Sequence, residues 1–132
     1  MIVDTSAVVA IATREPGFEQ LLSQIESAPT VSMSAGSVLE LMIVLASDRF
    51  GLHGDDVLRI LTVLEISTID FTAEHAVAAA AAFVRFGKGQ HPARLNFGDC
   101  ISYATATIVN QPLLFVGDDF SKTDVGTVQS SR

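Results

Sequence analysis

Apolar positions along the chain follow two rhythms in alternation. Short runs rich in β-branched residues read as strands, and apolar residues spaced three and four apart read as helices. Ile2–Asp4 is predicted as a short buried strand, followed by a helix over Ala7–Thr13 capped by Thr5 or Ser6. Glu15-Pro16-Gly17 breaks that helix, and Phe18–Ser27, apolar at 18, 21, 22 and 25, begins the next. Thr30–Met33 is predicted as a second strand. A long helix capped by Ser34 or Ser37 then runs to about Arg49 and ends at Gly51. Asp55–Leu64 is amphipathic, and Ile66–Phe71 is a third strand. The alanine-rich stretch from Thr72 to Gly87 is a strong helix former, expected to pack closely on its surroundings. Gly87–Asn96 is irregular, Gly98–Asn110 is a helix with Asn96 as a cap, and Leu113–Val116 is a fourth strand. Gly117–Asp124 is a turn-rich loop, and Val125–Val128 is read as a short last strand. Strands alternating with helices predict an α/β fold with a mainly parallel sheet covered on both faces.

Composition agrees with a packed core. The chain has 132 residues, 48% of them hydrophobic and 17% charged, which suits one domain over 1–132. Cys100 is the only cysteine, so no disulfide forms within the chain, and a reducing cytoplasm is expected. The start MIVDTS has no basic region of the kind a signal peptide needs. The longest uncharged run is interrupted by Asn110, Gln111 and Pro112, so no membrane span is expected.

The chemistry is suggested by acids that stand alone. Asp4 is the only charge between Met1 and Thr13, Glu40 the only one between Ser27 and Ser47, and Asp99 the only one between Leu95 and Gly117. Glu40 lies in GSVLELMIVLA, a stretch apolar nearly all round and therefore expected to be buried, where an unpaired carboxylate is costly. Asp4 ends a strand, at the sheet edge where ligand sites form in open parallel sheets. Asp99 sits in the first turn of a helix, and Asp118 and Asp119 follow the fourth strand. Each acid has an ordinary alternative: Asp4 as an N-cap, Asp99 as a first-turn acid, Asp118 or Asp119 as a turn residue, Glu40 as a satisfied core acid. Together, acids with no basic partner suit a hard divalent cation, Mg²⁺ or Mn²⁺, and such sites activate water at phosphates.

The segments DTSAVVAI, SVLEL, HPARLNFGDCISYATA and LLFVGDDFSKTDV, in that order, resemble the VapC-type PIN-domain ribonucleases, toxins of bacterial and archaeal toxin–antitoxin pairs. The resemblance implies a three-layer α/β/α sandwich and an acidic Mg²⁺ or Mn²⁺ site. Asp4, Glu40 and Asp99 match the core acids, with Asp4 and Asp99 as direct metal ligands and Glu40 holding a second metal or orienting water. The fourth acid falls in Gly117-Asp118-Asp119, with Asp118 the nearer match and Asp119 its neighbour. Thr5 or Ser6 would support the site through a hydroxyl. The implied activity is endonucleolytic cleavage of RNA, often structured RNA such as tRNA, leaving 5′-phosphate and 3′-hydroxyl ends. A VapB-type antitoxin is the implied partner, and the apolar helices suggest a homodimer.

The net charge of −7 opposes RNA binding by bulk electrostatics. Arg85, Lys88, His91, Arg94 and Lys122 flank the late motifs and are candidates for a small basic rim, or else an ordinary scatter of surface charge. A receiver-like phosphoryl-transfer domain, with Asp70 as acceptor, is one alternative, though Asp4 is followed by Thr-Ser rather than by a second acid. A non-catalytic acidic module that docks a basic peptide is another.

Overall fold

The computed structural model describes residues 1–128. Its strands are β1 (Ile2–Val3), β2 (Ser32–Ser34), β3 (Ser67–Ile69) and β4 (Leu113–Leu114). All pair in parallel, in the order β3-β2-β1-β4. The helices are α1 (Thr5–Ala12), α2 (Phe18–Ser27), α3 (Ala35–Leu45), α4 (Gly54–Val63), α5 (Ala73–Phe86) and α6 (Phe97–Val109). Among the described residues no helix is long and apolar enough to cross a membrane.

The period-two geometry of a strand sorts neighbouring residues onto opposite faces, and the two cores show it directly. Val3 and Leu114 join Val8, Ile25, Leu41, Val57 and Leu61, contributed by α1–α4. Ile2 and Leu113 join Ala82, Phe86, Tyr103 and Ala106, contributed by α5 and α6. The result is the expected three-layer sandwich. From β1 the chain steps outward through β2 to β3, then returns to place β4 on the other side of β1. The topological switch point therefore lies between β1 and β4, where an open α/β sheet forms its ligand crevice.

Several boundaries differ from expectation. The strands are shorter, since only the central residues find ladder partners. The last expected strand is reduced to one parallel bridge, Leu113 with Thr127. Asp4, rather than Thr5 or Ser6, caps α1, because its carboxylate reaches the Ser6 N–H. Ser34 caps α3, which frees Ser37 for a buried role, and α3 stops at Leu45.

Two burial expectations hold only on one side of the helix concerned. α3 is not buried all round: Leu39 and Ile43 are exposed, Ile43 at 65%, and Glu40 is half-buried. The alanine-rich α5 packs closely on α6 along one side and leaves its other side open. Only His75, Ala82 and Phe86 of it are buried, while Val77 is 72% exposed. Helix propensity determined that α5 forms, but it carries no information about what packs against it.

Candidate active site

Asp4, Glu40 and Asp99 line one cleft of about 300 Å³. Thr5, Ser6, Val9, Glu15, Val44, Asn96 and Val116 complete its wall. No lysine or arginine lines it. Three segments far apart in sequence thus bring their isolated acids to the switch point of the sheet.

Asp4 is the most buried of the acids, 4% exposed. It has no counter-charge among the cleft residues and is held by hydrogen bonds instead. Oδ2 accepts from the Ser6 N–H at 3.0 Å and from the Ser6 hydroxyl at 2.6 Å, and Oδ1 accepts from the Ser102 hydroxyl at 2.6 Å. Hydrogen bonds to a charged group contribute about 1.5–3 kcal/mol each, enough in sum to offset a desolvation cost of several kcal/mol. The scaffold behind extends this grip. Ser102 Oγ lies 3.2 Å from Ser37 Oγ, and Thr5 Oγ1 donates to the Ser37 carbonyl at 3.1 Å. Ser6 Oγ also accepts from the Val116 N–H at 3.0 Å, which ties the strand-end acid to the segment leaving β4.

Asp99 is placed by helix capping. Its carboxylate accepts from the Asn96 N–H at 3.0 Å, while the Asn96 side chain accepts from the Asp99 N–H at 2.9 Å. This capping box satisfies the first turn of α6 and aims the carboxylate into the cleft. Burial pushes the Asp99 carboxyl up to about 7. The Asn96 N–H pulls it back in part, and the negative charges of Asp4, Asp119 and Glu40 raise it further. Asp119 is therefore within electrostatic reach of Asp99. Neither Asp118 nor Asp119 lines the cleft.

Glu40 is positioned by a glycine. A Cβ built on Gly98 would stand 2.1 Å from Glu40 Oε2 and 2.6 Å from its Cδ. The Glu40 carboxylate thus rests directly on the bare backbone of α6, next to Asp99.

The basic candidates stand elsewhere. Arg85, Lys88, His91, Arg94 and Lys122 do not line the cleft. Arg85 pairs with Asp124 at 3.2 Å and stacks over Phe86. His91 accepts from the Ala93 N–H at 3.0 Å and meets Phe86 edge-on. Lys88, Arg94 and Lys122 are exposed. Asp70 follows the edge strand β3 and does not line the cleft, which leaves the receiver-like alternative without its acceptor.

Sequence reasoning missed Ser102, Gly98 and Glu15. Ser102 lies three residues after Asp99, at helical spacing on the same side of α6, and that spacing was a usable signal. Gly98 was legible as a glycine inside a helix, a place where close approach is a standing reason for the residue. Glu15 was absorbed into the Pro-Gly helix break.

Ser102→Ala removes a fully buried donor to Asp4. It is expected to weaken divalent-cation affinity about tenfold, measured by titrating the metal into the folded variant. An unchanged affinity would show that Asp4 is held without Ser102.

A family model describing the PIN domain matches residues 1–126. Ribonuclease VapC36 of Mycobacterium tuberculosis is 46% identical over 126 residues, covering 95% of this chain and 91% of that one. Among solved structures, VapC20 of Mycobacterium tuberculosis, described as a sarcin–ricin-loop cleaving toxin, superposes with a TM-score of 0.76 at 19% identity and covers 97% of this chain and 98% of that one. A toxin–antitoxin complex from Klebsiella pneumoniae aligns with a TM-score of 0.70 at 18% identity, over 98% of this chain and 97% of that one. The fold, the order of the acidic motifs and these likenesses agree, and the chain belongs to the PIN-domain family of VapC ribonucleases.

Proposed function

We propose that this chain is the toxin of a toxin–antitoxin pair, an endoribonuclease that hydrolyses phosphodiester bonds of structured RNA, such as tRNA, in the cytoplasm. The observation that carries the reading is the convergence of Asp4, Glu40 and Asp99, from three distant segments, on one cleft that no lysine or arginine lines.

The donor chemistry of the cleft fits Mg²⁺ or Mn²⁺. Its side-chain donors are oxygens apart from the Asn96 amide, and a divalent cation would offset the negative charges gathered around the partly buried Asp99. Among the described residues no three His, Cys, Asp or Glu side chains are already arranged to hold one ion together. Asp4 and Asp99, which line the same cleft and are each held in place by hydrogen bonds, are assigned as the direct ligands. When bound, the ion would lower the pKa of a water and offset negative charge on the phosphoryl oxygens. Ser6 and Ser102 hold the Asp4 carboxyl in one orientation by donating their hydroxyls to its two oxygens. Glu40, half-buried against Gly98, orients the attacking water by accepting its hydrogen bond. Val9, Val44 and Val116 form apolar wall beside the acids. The fourth acid falls in Gly117-Asp118-Asp119, beside the cleft rather than in its lining, and the charge of Asp119 is felt at Asp99.

The antitoxin partner is supported by the toxin–antitoxin complex among the fold neighbours. The exposed apolar side chains of α3 and α5 are surfaces that an antitoxin or a second copy would cover.

The deciding experiment is cleavage of purified RNA in Mg²⁺, in EDTA, and in EDTA followed by excess Mn²⁺. Activity is expected to vanish with the chelator and to return with Mn²⁺. Equal cleavage in all three, carried unchanged into an Asp4→Asn variant, would remove the nuclease reading and leave an acidic docking module.

A further inference from the structure

A phosphodiester brings negative charge into a cleft that no lysine or arginine lines. Its oxygens need hydrogen-bond donors, and few side chains of the wall can supply one. Asp4, Glu15, Glu40 and Asp99 only accept as carboxylates, and Val9, Val44 and Val116 do neither. Thr5 already donates its hydroxyl to the Ser37 carbonyl at 3.1 Å, and Ser6 donates its own to Asp4 at 2.6 Å. The side-chain amide of Asn96 is what remains.

Asn96 is firmly placed. Leu95 before it is fully buried. The Asn96 N–H donates to the Asp99 carboxylate at 3.0 Å, and its backbone carbonyl accepts from the Cys100 N–H at 3.0 Å. Its side-chain Oδ1 accepts from the Asp99 N–H at 2.9 Å. Only the oxygen end of the amide can take that bond, so the flipped orientation is ruled out and Nδ2 is the free end. Among the described residues Nδ2 has no hydrogen-bond partner. Asn96 is exposed on the cleft side of α6, so a substrate can reach it. The cap itself uses only Oδ1, and serine or aspartate would serve equally well there. The fold therefore explains the oxygen of this side chain and leaves the nitrogen to another task.

We propose that Asn96 is a catalytic residue whose Nδ2 donates a hydrogen bond to a non-bridging oxygen of the scissile phosphate. Negative charge grows on that oxygen as water attacks, so the bond strengthens toward the transition state. A neutral donor suits this place, because a lysine or arginine would pair with the carboxylates and compete with the cation for them. This role rests on the nuclease reading given above.

The test compares wild type, Asn96→Ser and Asn96→Asp as full chains. The measurements are melting in EDTA, Mn²⁺ binding read from the electron paramagnetic resonance signal of free Mn²⁺, and cleavage of purified RNA at saturating Mn²⁺. Both replacements keep an oxygen to cap α6 and remove the amide donor. Asn96→Ser is expected to melt close to wild type and to bind Mn²⁺ equally well. Asn96→Asp adds a carboxylate and should bind Mn²⁺ no more weakly than wild type. In both, kcat should fall on the order of 10²-fold, the loss that follows removal of one such donor, while KM changes far less. A wild-type rate in either variant would overturn the proposal. So would a slower Asn96→Ser that has lost Mn²⁺ affinity or melting temperature, because Asn96 would then act through the cap and Asp99 alone. If the serine variant does not fold, the rate and Mn²⁺ affinity of Asn96→Asp decide by the same criteria. Wild-type cleavage that persists unchanged in EDTA would remove the nuclease reading itself, whatever the variants do.

Discussion

Asp99→Asn is expected to lower kcat/KM on RNA by on the order of 10³ or more, the scale seen when a central catalytic group is removed, while making the metal-free protein more stable at pH 8. The substitution is nearly isosteric. The Asn carbonyl can still accept from the Asn96 N–H, so the cap of α6 survives. What disappears is a negative charge crowded by Asp4, Asp119 and Glu40. The folded-state value of about 7 lies above the ordinary 3.8. Between those values the folded wild type binds a proton that the unfolded chain has lost, so its stability falls as pH rises through that window. Below pH 3.8 Asp99 is neutral in both states and the variant should match wild type. Above about pH 7 the variant should lead by its full margin. That margin is roughly 1–2 kcal/mol once the open cleft's solvent screening is allowed for. Thermal melts in EDTA across this range, beside the cleavage assay, check both halves. A variant that loses activity and stability together would mean that Asp99 serves the fold. Metal binding needs the ionised carboxylate, so wild-type affinity for Mg²⁺ should rise with pH toward about 7 and binding should release protons.

Gly98→Ala is the second large effect. The added methyl would occupy the space of the Glu40 carboxylate, 2.1 Å from Oε2. Glu40 is a long, half-buried side chain, so it can swing away at little cost to folding. Alanine in the first turn of α6 also favours helix by up to about 1 kcal/mol. The variant should therefore melt at or above the wild-type temperature. Its activity should fall by about 10²-fold, the cost of misplacing a group by an ångström or more. If the effect passes through Glu40, Gly98→Ala should add little to a Glu40→Gln background. Additive losses would mean that Gly98 acts through another contact, such as the orientation of Asp99.

Much of this protein is legible in the chain itself. The alternation of strand-like and helical patterns requires two covered sheet faces, and Ile2 and Val3 go to opposite cores as period two demands. Asp4, Glu40 and Asp99 stand out because charge is expensive inside apolar segments, and all three reach one cleft. The inference from Glu40 reached the right place by a partly wrong route, since α3 has an exposed apolar side and Glu40 is only half-buried.

What the tertiary structure alone decided are the neighbours of those acids. Ser102 reaches Asp4 across 98 positions of sequence, and Ser6 reaches Val116 across 110. Gly98 matters because a glutamate from another helix rests on it. Arg85, read as a candidate for the substrate rim, spends its charge on Asp124. Local pattern governs which elements form, because backbone hydrogen bonding and apolar period are properties of neighbours along the chain. Which side chains meet is set by how helices seat on the sheet, and that depends on the whole packed core.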